Sequence, residues 1–114
     1  MNTLCSLLGL AQAVDMFEKD FLDVHSLSLK EGMLLCCISE QQLTASDIAC
    51  KIDLTNSNCS KVIKSVEKKG LIERSFGIDD KRKMFFVLTE SGKNKMLEII
   101  KEEVEIPELL SKYI

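Results

Sequence analysis

Residues Thr44–Gly70 read TASDIACKIDLTNSNCSKVIKSVEKKG, and they contain two helix starts and one helix stop. Thr44 followed three residues later by Asp47 has the form of a capping box, which predicts a helix over residues 45–52. Asp53-Leu54 leaves room only for a tight connection, and Asp tolerates the left-handed backbone that helix ends favour. Thr55 is placed to cap a second helix over residues 56–69, and Gly70 ends it. Within that helix Cys59, Val62, Ile63 and Val66 fall at i, i+3, i+4 and i+7, a stripe that seeks a core. The opposite side carries Asn56, Ser57, Asn58, Ser60, Lys61, Lys64, Ser65 and Lys68.

Downstream, LIERSF and KMFFVL read as two short strands around the tip GIDDKRK, residues 77–83. Gly77 lets the chain leave the first strand, and Met84, Phe86 and Leu88 share one face of the second. Three bases follow two acids at the tip, so Asp80 is placed to pair with Arg82 across the turn. Thr89 can cap a further helix with an apolar stripe of Met96, Leu97, Ile100 and Val104, interrupted or ended by Pro107. ELLSKYI then forms a last helical turn or a frayed tail. Upstream, Leu4, Leu7, Leu8, Ala11, Val14, Phe17, Phe21 and Leu22 recur at helical spacing over residues 3–24. SLKE, with Ser28 and Glu31, has the capping-box form. The helix it opens is apolar nearly all round, which marks it as central.

The 114 residues suit one domain. No apolar run is long enough to span a bilayer, and the N-terminus lacks a basic n-region, so the expected location is the cytoplasm. Five cysteines without a C-x-x-C, and a single histidine, give no disulfide framework and no zinc motif. Cys36, Cys37, Cys50 and Cys59 fit apolar positions, where packing is expected. His25 is expected at a helix end or on the surface, and metal ligation with Cys36 or nearby acids has little behind it. No Ser/His/Asp set, glycine-rich phosphate loop or paired-carboxylate cleft is present, so the chain is not expected to be an enzyme or to need a cofactor.

The net charge of −3 hides a segregation: residues 51–83 hold nine bases and five acids, which gives +4 and leaves −7 for the rest. A basic segment of this kind points to an anionic partner. Helix, short turn, helix and basic hairpin are the parts of a winged helix-turn-helix, in a chain that is mainly α with a small β-hairpin wing (α+β). One helix fits the major groove of double-stranded DNA, where short polar side chains reach base edges and lysines neutralise phosphates.

LTASDIA, VEKKGLIER and DDKRKMFFVLTESG, with their spacing, resemble the DNA-binding core of MarR-type transcriptional regulators from about Leu27 to Met96. The resemblance implies two helices, a short strand, two helices, a strand–wing–strand hairpin and a fifth helix. It implies a homodimer on a pseudo-palindromic operator, with residues 3–26 and 90–114 as dimerisation helices around a core at 27–89. It places Ser57, Asn58, Ser60, Lys61 and Lys64 in contacting positions and makes Asp80 and Arg82 the wing pair; Lys68 and Lys81 extend the same basic surface. A small-molecule effector, or an oxidant acting on Cys5 at the start of the first helix, is the expected modulator.

Three departures stand out. Gly32 occupies a position where many relatives carry an aromatic residue lining the effector crevice. Lys81 replaces a frequent arginine. The last helix is short, so the length is nearer the Sar-type staphylococcal branch, and the dimer is expected to lean on Leu4, Leu7, Leu8, Leu10, Leu109, Leu110 and Tyr113, unless some of these cap the monomer core. A reading from another class also fits the acidic remainder: a winged-helix module for protein–protein assembly without DNA binding.

Overall fold

The capping pattern between Thr44 and Gly70 forms as its spacing predicts. In the computed structural model, which describes residues 2–114, Thr44 Oγ1 accepts the Asp47 amide at 3.2 Å and Asp47 Oδ2 accepts the Thr44 amide at 3.3 Å. This box starts α3 (Ala45–Lys51). Asp53 takes the left-handed conformation at φ 53°, and the Leu54 amide returns to Ala49 O. Thr55 Oγ1 accepts the Asn58 amide at 3.1 Å and opens α4 (Asn56–Lys68). At the far end the Gly70 amide reaches Glu67 O and the Leu71 amide reaches Val66 O. That pair of bonds is a Schellman motif; it needs a left-handed residue, and Gly70 supplies it at φ 75°.

Before these lie α1 (Thr3–His25) and α2 (Leu29–Glu40); after them come β1 (Ile72–Phe76), β2 (Met84–Leu88), α5 (Glu90–Lys101) and α6 (Glu108–Ser111). The two strands are antiparallel, with Ile72 opposite Leu88 and Phe76 opposite Met84. The short strand expected before α3 is reduced to one bridge, Leu43 to Phe86, with the Phe86 amide 2.8 Å from Leu43 O. A glutamine pair and Thr44 flank Leu43, and Thr44 is already committed to the cap, so no ladder extends from it.

Two compact units emerge. One holds the chain up to Leu29 together with Glu102–Ile114; the other is Lys30–Lys101. α5 belongs to the second of these units. Thr89 shows why: its hydroxyl donates to Gly70 O at 2.6 Å and accepts the Gly92 amide at 3.0 Å, which caps α5 onto the end of α4. α5 also stops at Lys101, so Val104 lies outside it, and Leu97 and Ile100 of its stripe are exposed.

The winged unit is built around Leu34, Leu35, Ile48, Ile63, Val66 and Phe86, each no more than 4% exposed. Burying Ile63 and Val66 contributes about 1.5–3 kcal/mol apiece, which anchors one side of α4 and leaves the other to solvent. In the first unit, Asn2 Oδ1 accepts the Cys5 amide at 2.8 Å and caps α1, while Ser26 ends it in the left-handed region. α6 packs on α1, with Leu109 Cδ2 3.6 Å from the site a Gly9 side chain would fill. His25 is in the last turn of α1 but is 2% exposed, not a surface residue: Nε2 meets Glu102 O at 3.0 Å and the ring leans on Phe21.

Candidate nucleic-acid interface

Position in α4 sorts its side chains into three sets. Cys59, Ile63 and Val66 go inward. Ser57, Lys61, Lys64 and Lys68, spaced i, i+4, i+7 and i+11, share one exposed stripe, flanked by exposed Asn58 and Ser60. The structure therefore brings together Ser57, Asn58, Ser60, Lys61, Lys64 and Lys68, six of the eight residues that the sequence placed on this face. Ser65 belongs elsewhere: half-buried, its Oγ donates to Glu31 Oε2 at 2.8 Å. Lys69 turns the same way and donates to both oxygens of Glu31 at 3.0 and 2.9 Å.

The other flank of α4 meets the hairpin. Arg74 Nε and Nη2 donate to Glu67 at 3.1 and 3.4 Å, and the guanidinium sits 6.0 Å from the centre of the Phe86 ring. The hydrogen bond to Glu67, and then its charge, raise the Arg74 pKa further above an already high value. Arg74 is thus held as a tie between β1 and α4. A crevice of about 250 Å³ opens beside this tie, with Asn56, Ser60 and Lys64 on one wall and Met84 and Phe86 on the other.

At the wing, residues 77–83 close through the Gly77 amide on Lys83 O (3.0 Å) and the Lys83 amide on Asp80 O (3.1 Å). Gly77 is required for space: a Cβ would stand 2.7 Å from Asp80 O. Asp80 Oδ1 accepts from both the backbone N–H and Nε–H of Arg82. Lys81, Arg82 and Lys83 are all exposed. Among the described residues, Lys61, Lys64, Lys68, Lys81 and Lys83 form no ion pair, so their charge is uncommitted.

Sequence reasoning missed Glu31, Glu67 and Arg74 as partners. Glu31 is 6% exposed, but in the sequence its place three residues after Ser28 reads equally as a capping box. For the cysteines, packing describes Cys59 and half-buried Cys37, but Cys36 and Cys50 are exposed. Burial raises the Cys59 thiol pKa, and burial followed by neighbouring Cys36 does the same at Cys37. Cys5 is exposed on the first turn of α1, in the other unit. Among the described residues no cluster of three His, Cys, Asp or Glu is spaced to hold a metal, and no helix is long and apolar enough to cross a membrane.

Comparison with known proteins gives a consistent picture. The model of the MarR family matches residues 27–84. The transcriptional regulator AdcR of Streptococcus pneumoniae is 35% identical over 65 residues, covering 57% of this chain and 44% of AdcR. The HTH-type transcriptional regulator SarZ of Staphylococcus haemolyticus is 28% identical over 96 residues, covering 82% of this chain and 65% of SarZ. This chain thus spans less than two thirds of either relative. Among solved structures, the S. aureus MepR–DNA complex superposes with a TM-score of 0.76 at 21% identity, over 89% of this chain and 76% of that one. AdcR from Streptococcus pyogenes gives 0.75 at 25% identity, over 89% and 73%.

Proposed function

The chain belongs to the MarR family, and from that premise we propose that it is a sequence-specific DNA-binding transcriptional regulator, a homodimer acting as a repressor on a pseudo-palindromic operator. One observation carries the reading: the exposed stripe of α4 and the wing present uncommitted cations beside short hydrogen-bonding side chains. Ser57, Asn58 and Ser60 stand at the N-terminal end of α4, suited to base edges and phosphates; Lys61, Lys64 and Lys68 suit the phosphate backbone. Lys81 and Arg82 follow the adjacent minor groove, with Asp80 setting the arginine. A neighbour of the same fold was solved with DNA bound, which supports this use of the fold.

Two copies place two reading helices on half-sites about one helical turn apart. Exposed Leu4, Leu7, Leu8 and Val14 on α1, Leu109 on α6, and Tyr113 just beyond it are the surface for that pairing. An apolar crevice of about 620 Å³ between Ile38, Val87, Leu88 and Met96, with Lys93 at its edge, has the size of a small-ligand site. Occupation of that crevice, or oxidation of exposed Cys5, changes operator affinity by altering the separation of the two reading helices. A mobility-shift assay against the region upstream of the chain's own gene tests the reading. A salt-sensitive, sequence-selective complex is expected. Retention by a protein partner, with no DNA complex at any salt, favours the assembly module instead.

A further inference from the structure

We propose that Glu31 is a positioning residue for the reading helix: its buried carboxylate fixes the roll of α4 about its own axis, and so sets how well the α4 stripe discriminates its operator. The inference rests on the DNA-binding reading and goes on to say what aims that surface.

The apolar stripe of Cys59, Ile63 and Val66 holds α4 against the core, but apolar contact has no preferred direction. Direction comes from the flanks. On one flank Ser65 and Lys69, one turn apart, converge on Glu31, which is 6% exposed, through hydrogen bonds of 2.8, 2.9 and 3.0 Å. On the other flank Glu67 holds Arg74 of β1. The stripe of Ser57, Lys61, Lys64 and Lys68 lies between the two ties. The preceding residue, Lys30, donates to Ile52 O at 2.7 Å at the end of α3. The first turn of α2 therefore grips both the turn of the helix-turn-helix and the C-terminal half of α4. Side-chain tips lie ~5–6 Å from a helix axis, so a roll of roughly 20° carries each tip about 2 Å, beyond hydrogen-bond tolerance. A buried carboxylate with directional partners suits this task better than it suits raw stability, because well-packed apolar groups serve stability as well or better.

The test compares three proteins on a duplex that the wild-type chain selects from a random library, and on a scrambled duplex. Glu31→Gln keeps size but loses the charge that holds Lys69. The triple variant Glu31→Leu, Ser65→Ala, Lys69→Met replaces the network with apolar packing and guards against simple unfolding. Both variants are expected to lose about tenfold in the ratio of selected to scrambled affinity, with the triple variant melting near the wild type. A folded triple variant with full discrimination, or a folded Glu31→Gln with wild-type affinity, overturns the positioning role. If the wild type selects no duplex at all, the DNA-binding reading itself fails, and this inference with it.

Discussion

One carboxylate oxygen of Asp80 holds Arg82 twice, accepting its backbone N–H at 3.0 Å and its Nε–H at 3.3 Å. The arginine side chain is 94% exposed, so the pair adds little to folding. Its effect is on pose. On the proposed DNA-binding reading, fixing the guanidinium before binding reduces the freedom it would lose on entering a narrow, negative groove. Asp80→Ala is therefore expected to weaken operator binding by roughly fivefold, about 1 kcal/mol, although it removes a negative charge. Fluorescence anisotropy at fixed salt measures it. Tighter binding by the variant would show that Asp80 is only a tolerated acid.

Gly92 lies where α5 starts against the end of α4. A methyl group there would overlap Leu71 O, a backbone atom that also accepts the Thr89 amide. Gly92→Ala is expected to cost about 1–3 kcal/mol, read as a lower urea midpoint with an unchanged slope. An unaltered midpoint would mean that the junction yields easily.

Burial ranks the cysteines. Cys5, Cys36 and Cys50 are exposed, and a thiol reagent at neutral pH should modify these three rapidly in the folded protein. Cys59 should wait for unfolding, and Cys37 should react slowly, because burial holds both thiols in the neutral form. The sign follows for stability: the folded pKa lies above the ordinary 9.0, so the contribution is full below that value and is lost as pH rises through the folded pKa. Cys59→Ala should flatten the alkaline decline of the melting temperature. Fast labelling of Cys59 in native protein contradicts this ranking.

Leu8 is 59% exposed in the single chain, as a residue reserved for a partner copy would be. Leu8→Glu should leave the circular dichroism spectrum intact and shift sedimentation from dimer to monomer. Operator affinity should then fall at least tenfold, because two half-sites no longer engage together. A variant that remains dimeric moves the interface elsewhere.

The parts legible in sequence are those written locally. Thr44, Thr55, Asp53 and Gly70 act on backbone close by in the chain, as Thr89 does in capping Gly92, so spacing reveals them; the reach of Thr89 to Gly70 O, 19 residues away, is not local. The exposed stripe of α4 followed from the same 3.6-residue period that buries Ile63 and Val66. What stayed hidden is tertiary. Glu31 meets Ser65 and Lys69 across 34 and 38 residues, and nothing local distinguishes that role from helix capping. Ser65 read as exposed because its partner could not be seen. Leu43 carries an extended bridge too short to register as a strand. α5 ends at Lys101, since Glu102, Glu103 and Glu105 place acids near its C-terminal end, where the helix dipole disfavours them.

The central claim is that α4 and the wing hold DNA through the unpaired lysines of the α4 stripe and through Arg82, which Asp80 holds in place. Its most direct test is the salt dependence of operator binding for the wild type and for Lys61→Ala with Arg82→Ala. The wild type should bind with a steep negative slope of log K against log salt. The double variant should bind far more weakly while remaining a dimer, its slope shallower by about one for each phosphate that it no longer neutralises. Equal affinities and equal slopes for the two proteins would contradict the account.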